Sequence, residues 1–165
     1  MIMKIKFKIG DVFSFPIEGD RSGFGQVVEF YEKHLVYCVF NRRVVTNEVN
    51  FVNSDILLAG ITTGVKIENG DWKIIGNETR NLKDITRPNF KVMIEGSMYI
   101  VSFSGRTRRK IEEEEADILT FRNIVAPIRY EKALCAHFGV GEWERPYDKL
   151  LYENVIRSHE ISLKK

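Results

Sequence analysis

The run from Gly10 to Val28 constrains the fold more than any other part of the chain. It reads GDVFSFPIEGDRSGFGQVV, two apolar segments separated by a cluster of glycine, aspartate and serine. Such clusters favour tight turns, because glycine adopts positive φ angles and short polar side chains bond to the nearby backbone. Gly25 lies inside the returning segment, where it indicates a bulge or a close backbone approach. We therefore predict an antiparallel hairpin in which Phe13 and Phe24 face the core together.

Further strands are predicted on both sides of this hairpin. The run from Ile2 to Ile9 alternates strictly between apolar residues and lysine, which is the period of a half-buried strand, and the lysines suit a sheet edge. The run 55–63 is compatible with a helix or a strand, and the strands around it favour a strand. The remaining predicted strands are at 34–40, 44–52, 72–76, 90–94 and 98–103, the last two forming a second hairpin.

Helical patterns are found near the end of the chain. Pro127 suits a first helical turn and Gly139 a C-terminal cap, and an apolar stripe lies between them. Pro146 opens a second predicted helix, while the run 118–125 fits a helix or a strand equally well. We expect one α+β domain over 1–165, strand-rich at 1–125 and helical at 126–160. Its architecture is predicted to be an antiparallel curved sheet or partly open barrel with two C-terminal helices.

The charge balance bears on the class of partner. The net charge is +2, from 25 basic and 23 acidic residues, and no basic arm or pole is present. Binding to DNA depends on clustered basic residues that release counterions, so nucleic-acid binding is disfavoured. It remains the alternative function, through a sheet that combines aromatic residues with Arg42, Arg43, Arg106, Arg108 and Arg109.

No pattern points to catalysis, a cofactor or a metal. His34, His137 and His159 are scattered, without the CxxC or HxxxH spacing of zinc sites. Cys38 and Cys135 lie in apolar runs and are predicted to be free, buried thiols. The sequence has no GxSxG motif and no P-loop. We therefore predict a protein that is not an enzyme and has no catalytic, cofactor-binding or metal-binding residues.

The sequence also bears on location. It carries no signal peptide and no apolar span near the ~20 residues that cross a bilayer. We therefore expect a cytoplasmic protein without a membrane partner.

An acidic run is the first candidate partner-binding surface. It follows a basic run and is expected to open a short helix or turn, with Arg108 paired to the first of its carboxylates. Consecutive helical residues diverge by about 100°, so the run forms no catalytic dyad. It can instead be a solvated helix terminus or an acidic face for a basic partner. The run consists of Glu112, Glu113, Glu114 and Glu115.

Trp143 is the second candidate. It lies between Glu142 and Glu144 in a glycine-rich connection, GVGEWERP. A tryptophan there either locks the two closing helices together or anchors a partner. The other tryptophan, Trp72, follows a turn and is expected to cap the core.

Three segments resemble the immunity protein 26 family. The opening run is similar to the signature that begins this family, through Gly10, Asp11, Phe13, Pro16, Gly23, Phe24, Gly25, Gln26 and Val27. DWKIIGN resembles the family's central Trp–Gly strand, and ALCAHFGVGEWERPYDKLL its terminal helix–Gly–Trp–helix segment. Phe15 and Ile17 depart from the usual Ile and Leu, and 44–63 has no clear anchor.

The resemblance implies a bacterial cytoplasmic protein that binds and neutralises a cognate protein toxin. The toxin would belong to a polymorphic-toxin or contact-dependent system. The implied mechanism is steric occlusion, with no reaction and no cofactor. The family provides no catalytic residues to transfer, and its motif does not specify which residues contact the toxin.

Overall fold

The computed structural model of the chain describes residues 3–45, 53–161 and 163. These residues contain eight strands in two antiparallel sheets, neither closed into a barrel, with helices in the C-terminal region. This confirms the predicted α+β class. The strands are β1 (Asp11–Glu18), β2 (Arg21–Glu32), β3 (Leu35–Asn41), β4 (Ile56–Thr63), β5 (Lys73–Asn77), β6 (Phe90–Ile94), β7 (Ser97–Val101) and β8 (Arg108–Lys110). The α-helices are α1 (Val65–Glu68), α2 (Pro127–His137) and α3 (Tyr152–Val155).

The chain divides into two compact units, each with its own sheet. Unit 1 comprises 1–85 and 124–152, and unit 2 comprises 86–123 and 153–165. Unit 1 contains the five-stranded sheet β4-β3-β2-β1-β5, and unit 2 the three-stranded sheet β6-β7-β8. Both predicted hairpins form, one in each unit.

The predicted opening hairpin forms the centre of the sheet in unit 1. Gly19, with φ 61°, makes the turn between β1 and β2. Pro16 lies in β1 beyond Ser14, the last residue that pairs with β5. The missing N–H of this proline therefore interrupts no bond to β5. At the other edge of the sheet, Leu151 forms an isolated bridge to Leu58 of β4.

The register of the hairpin separates the two phenylalanines. Phe13 pairs with Gly25, and Ser14 pairs with Phe24. Residues paired across strands share a face and successive residues alternate, so Phe13 and Phe24 point to opposite faces of the sheet. The prediction that they face the core together is wrong, although both are buried. Helix α2 packs on the face that carries Phe13, and places Tyr130 in the same core.

The predicted strand from Ile2 to Ile9 does not form among its described residues. The backbone from 3 to 8 has no regular secondary structure, and both Ile5 and Ile9 are exposed. The predicted strand at 44–52 falls mostly at 46–52, outside the described residues, and 44–45 carry no strand. The run 55–63 is a strand over Ile56–Thr63, as the neighbouring strands had favoured, while Asp55 ends a short 3-10 helix.

Unit 2 packs its sheet on a small core of Ile100, Leu119 and Ile161. The run 118–125, for which helix and strand were both open, is neither: its pairing is limited to isolated bridges at Phe121 and Ile124.

The second C-terminal helix is shorter and more broken than predicted. A 3-10 helix over Arg145–Leu150 is followed by the single turn α3 and a 3-10 helix over Ile156–Glu160. Leu151 interrupts the run because it takes an extended conformation, ψ 127°, where it bridges to Leu58.

Candidate partner-binding surfaces

The residues of the opening signature are nearly all turned inward. Of the nine signature residues in the hairpin, Pro16 is exposed and the other eight are buried. Asp11 is buried at the start of β1, where its carboxylate accepts bonds from the Lys8 N–H (2.9 Å) and the Asn77 amide (3.0 Å). Buried residues offer no surface to a partner, so the eight buried signature residues build the scaffold.

Glycines of the inner sheet face are covered directly by side chains. A Cβ at Gly25 would lie 2.6 Å from the Val39 carbonyl oxygen and 2.8 Å from the Phe13 ring. A Cβ at Gly60 would overlap the hydroxyl of Tyr130 from α2. The close approach expected at Gly25 is therefore observed, while the irregularities in β2 lie further along the strand, after Val27. Tyr130 of α2 can lie this close to the sheet only because Gly60 has no side chain. The Phe13 ring likewise packs on Gly25.

Trp72 caps this core, as predicted. Its ring stacks on that of Phe13 with centroids 4.7 Å apart and planes 3° apart. Its indole Nε1 donates a hydrogen bond to the Glu131 carboxylate at 3.0 Å, and Lys66 pairs with the same carboxylate at 3.4 Å. The indole ring of Trp72 is packed against the core and its nitrogen is hydrogen-bonded, so Trp72 has a structural role.

A buried amide network, which sequence reasoning did not identify, ties three segments of unit 1 together. The Gln26 side chain donates to the Glu78 carbonyl oxygen at 2.6 Å. The Asn81 amide donates to the Gln26 side-chain oxygen at 2.7 Å and to Asn53 at 3.0 Å. Gln26 is completely buried, so these bonds replace the water that its amide loses on folding. One signal in the sequence points to this network: Gln26 is a polar residue among the apolar residues of a predicted strand, FGQVV.

The two thiols are in different environments. Cys38 is buried, as predicted, and burial raises the pKa of its thiol well above the ordinary value. Cys135 is only partly buried, which corrects the prediction, and burial followed by the charge of Glu131 raises its pKa. Both shifts favour the neutral thiol, whereas a nucleophilic cysteine needs the thiolate. Burial and then the nearby Arg42 lower the pKa of His137, which is exposed on α2.

The described residues contain no group of three or more His, Cys, Asp and Glu side chains placed to hold a metal ion. Among the helices of the same residues, none is long and apolar enough to cross a membrane.

The acidic run lies in unit 2, and its four carboxylates do not share one environment. Glu115 is buried and accepts a bidentate pair of hydrogen bonds from Arg109, at 2.8 and 2.6 Å. This bonding raises the pKa of the Arg109 guanidinium. Glu112, Glu113 and Glu114 are exposed at the surface. Glu115 therefore anchors the turn, and the Glu112 side chain caps it by accepting from the Glu115 N–H, while Glu113 and Glu114 are exposed.

The arginine that pairs with the run is Arg109, where Arg108 had been expected. Successive residues of β8 alternate between faces of the sheet, so only one of the two can point at the turn. Arg108 lies over the ring of Tyr99, 5.7 Å from its centroid. The 3-10 helix Glu113–Glu115 is closed by a capping box, in which Glu112 N–H donates to Glu115 at 2.9 Å. The expected short helix or turn is confirmed.

Trp143 lies in unit 1, on a surface connection. The side chain is 36% exposed. Its Nε1 donates to the Asp148 carboxylate at 2.8 Å, and its ring meets that of Tyr147 edge-on with centroids 5.5 Å apart. Both contacts are with the 3-10 helix that follows it, and within the described residues no hydrogen bond or ring contact joins Trp143 to α2. The indole is thus held in one orientation while part of it faces solvent.

The arginines of the nucleic-acid alternative belong to different units, and two of them are in ion pairs within the protein. Arg43 pairs with Asp55 at 2.6 Å in unit 1, and Arg109 is turned toward Glu115 in unit 2. An ion-paired guanidinium has to exchange its carboxylate for a phosphate before it can contribute to nucleic-acid binding.

The comparison with protein families agrees with the first two of the three sequence motifs, and the third lies beyond the matched residues. The family model described as Immunity protein 26 matches residues 8–98, more than half of the chain. The chain therefore belongs to the immunity protein 26 family, which confirms the resemblance. No curated protein and no solved structure matched. None of these findings supports the nucleic-acid alternative. The match covers β1 to β6, whereas the acidic run and Trp143 lie beyond it.

Proposed function

We propose that this protein neutralises a cognate protein toxin by binding it and blocking its action sterically, without catalysing a reaction. Its family supports an immunity function in general and thereby a toxin as partner. We further propose that the toxin belongs to a polymorphic-toxin or contact-dependent system and is met in the bacterial cytoplasm. Immunity proteins of this kind are typically non-catalytic, which supports occlusion over a reaction.

The burial of the signature is the observation that carries this proposal. Residues common to a family of binding proteins are expected to build the shared scaffold, while partner choice requires surfaces that differ between members. A standard interface takes about 800 Å² from each partner. The chain exposes 10056 Å², so such an interface occupies a modest part of its surface.

The contact residues we propose are the acidic run and Trp143. Glu112, Glu113 and Glu114 offer exposed carboxylates, and Glu115 supports them through its buried bonds to Arg109. Trp143 offers an oriented aromatic surface, and tryptophan is enriched among the residues that dominate binding energy. The two candidates belong to different units and are proposed independently of one another.

Co-expression tests the function itself. The genes next to this one are searched for a toxin domain, and each candidate is produced in cells with and without the protein. We expect growth to be rescued and the two proteins to co-purify. Cells that die despite full expression of the soluble protein, with no complex recovered, would falsify the proposal.

Charge reversal tests the acidic surface. The double variant Glu113→Lys/Glu114→Lys should slow association with the toxin about tenfold at low salt and flatten its salt dependence, because exposed charges steer encounter. Asp20→Lys/Glu95→Lys is the matched control, since it makes the same charge change at two exposed turn residues. Stopped-flow association rates measure both variants. Equal rates for the two would remove the acidic run from the interface.

Truncation tests the tryptophan. Trp143→Ala should raise the dissociation rate of the complex at least tenfold, because a buried aromatic anchor acts mainly on the lifetime of a complex. Surface plasmon resonance measures the rate, and Trp143→Phe, which keeps an aromatic ring, should recover part of the lifetime. If the complex of the Trp143→Ala variant dissociates as slowly as that of the wild type, the indole does not contact the toxin and serves only its contacts with Asp148 and Tyr147.

A further inference from the structure

Residues 3–9 have the sequence of a strand but do not form one. The run MKIKFKI alternates lysine with apolar residues. Two of its backbone N–H groups donate hydrogen bonds. Ile5 N–H donates to the Glu68 carbonyl oxygen (2.8 Å), and Lys8 N–H donates to the Asp11 carboxylate (2.9 Å). Across the described part of the chain, no acceptor is bonded to the N–H groups of Met3, Lys4, Lys6, Phe7 and Ile9. The strand pattern is therefore present without a ladder.

Side chains hold this segment beside β2. The Phe7 ring stacks on Phe30 with centroids 5.8 Å apart, and Gly10 N–H donates to the Val27 carbonyl oxygen at 2.8 Å. Phe7 lies three positions before Gly10, and its partner Phe30 lies three positions after Val27, the partner of Gly10. The segment therefore runs antiparallel to β2. The Phe7 ring also lies against Gly64, where a Cβ would contact it. Residues 3–9 thus contact the rest of unit 1 at several points along the segment.

The same segment exposes a concentration of apolar surface. Met3 is 86% exposed, Ile5 46% and Ile9 40%. Phe30 and Val65 beside it are also exposed. Unpaired backbone next to exposed apolar side chains is the arrangement that β-strand addition uses: backbone bonds supply affinity and alternate side chains supply specificity.

The charges of the segment select among possible occupants. Lys4, Lys6 and Lys8 are all exposed, and among them Lys4 has an ionic partner, Glu68 at 3.6 Å. Two copies of the segment paired antiparallel about Lys6 would set lysine opposite lysine along the strand. Like charges directly opposite one another destabilise a strand pair. A strand with acidic side chains opposite the lysines and apolar side chains opposite Ile5 and Ile9 has the complementary pattern.

We infer that residues 3–9 are a docking segment that receives an extended, acidic and apolar strand of the toxin by β-strand addition. This inference rests on the proposed function and adds the mode of recognition. The family match begins at residue 8, so most of the segment lies outside the shared scaffold, where partner choice is expected to reside.

Amide exchange in the complex tests the bonding directly. The 165-residue protein is compared free and bound to the toxin domain that it neutralises in the co-expression experiment. Alternate N–H groups of an extended strand point to the same edge, so one added strand can bond both Lys4 and Lys6. We expect these two unbonded amides to exchange at least tenfold more slowly when bound. Unchanged exchange at these amides in a saturated complex would overturn the inference and leave the proposed function intact. Failure of the wild-type protein to bind would count against both.

A pair of variants at Lys6 separates backbone from charge. Lys6→Gln removes the charge and keeps the N–H, whereas Lys6→Pro also removes the N–H, which has no acceptor among the described residues of the free protein. We expect Lys6→Pro to bind the toxin at least tenfold more weakly than Lys6→Gln. Equal affinities would show that the amide is not used and would overturn the inference.

The charge pattern has its own matched control. Lys4→Glu/Lys6→Glu/Lys8→Glu should weaken binding at least tenfold more than a triple variant at three exposed lysines elsewhere, Lys83→Glu/Lys132→Glu/Lys149→Glu. Equal losses from the two triple variants would show that only net charge matters and would overturn the acidic-strand inference.

Discussion

The two units of this protein are held together in different ways. Unit 1 packs aromatic rings directly on glycines of a five-stranded sheet, as Phe13 does on Gly25 and Tyr130 on Gly60. Unit 2 has a three-stranded sheet and a small apolar core, and it buries the ion pair between Arg109 and Glu115. The five-stranded sheet of unit 1 is stabilised by close packing of aromatic rings on glycines. The three-stranded sheet of unit 2 is stabilised by a small apolar core and by the Arg109–Glu115 ion pair.

This difference has a consequence for tolerance to mutation. Close packing responds to a single added carbon, because interiors have no room to absorb it. A buried ion pair responds to the loss of one partner, because the remaining charge is left without compensation. The two units should therefore be sensitive to opposite kinds of substitution.

Adding one methyl group at Gly25, in the sheet of unit 1, should give the larger loss of stability. Gly25→Ala places a Cβ 2.6 Å from a backbone oxygen and 2.8 Å from the Phe13 ring, so we expect a loss of about 2–3 kcal/mol in the free energy of unfolding. Urea denaturation followed by circular dichroism measures it.

The control for this substitution lies in the same sheet. A Cβ at Gly76 in β5 would meet no atom within 4 Å, and the φ of Gly76 is not positive. Gly76→Ala should therefore change stability by less than about 0.5 kcal/mol. If the two alanine variants were equally stable, the close approach at Gly25 would not constrain the fold.

Removing one charge from unit 2 should give the smaller effect. Glu115→Gln keeps the shape of the side chain and removes its charge, so the Arg109 guanidinium loses its counter-ion. We expect a loss of about 2 kcal/mol, in the range for hydrogen bonds to charged groups. Native-state hydrogen exchange at the Ile100 amide, in the core of unit 2, measures it.

An exposed glutamate of the same turn provides the comparison. Glu113→Gln should leave the exchange of the Ile100 amide unchanged within about 0.5 kcal/mol, because exposed charges contribute little. Equal effects at the two positions would mean that the buried pair does not stabilise unit 2.

The parts of the fold that sequence predicts well are those decided locally. The opening hairpin follows from its turn residues and its apolar flanks, and helix α2 from its proline, its stripe and Gly139, whose φ of 88° suits a helix end. The strand at 2–9 has an equally clear pattern, but a strand also needs a bonded neighbour, and the described residues 3–9 lack one. A periodic pattern cannot reveal that absence.

The details of the candidate surfaces depended on tertiary contacts. Four consecutive glutamates look alike in sequence, and only the orientation of β8 decides that Arg109 meets Glu115 and that Glu115 turns inward. The predicted helix after Pro146 is likewise interrupted by the bridge from Leu151 to a distant strand. By contrast, the signature residues were recognisable from their types and order, because glycine beside aromatic residues reflects the packing itself.

Both tryptophans of the chain belong to unit 1. Trp72 is stacked within the core, whereas Trp143 is partly open to water. Fluorescence excited at wavelengths that only tryptophan absorbs therefore reports on unit 1 alone. It comes from one indole shielded from water and one accessible to it. An aqueous quencher distinguishes the two while the fold is intact, which gives toxin binding and the unfolding of unit 1 separate optical signals.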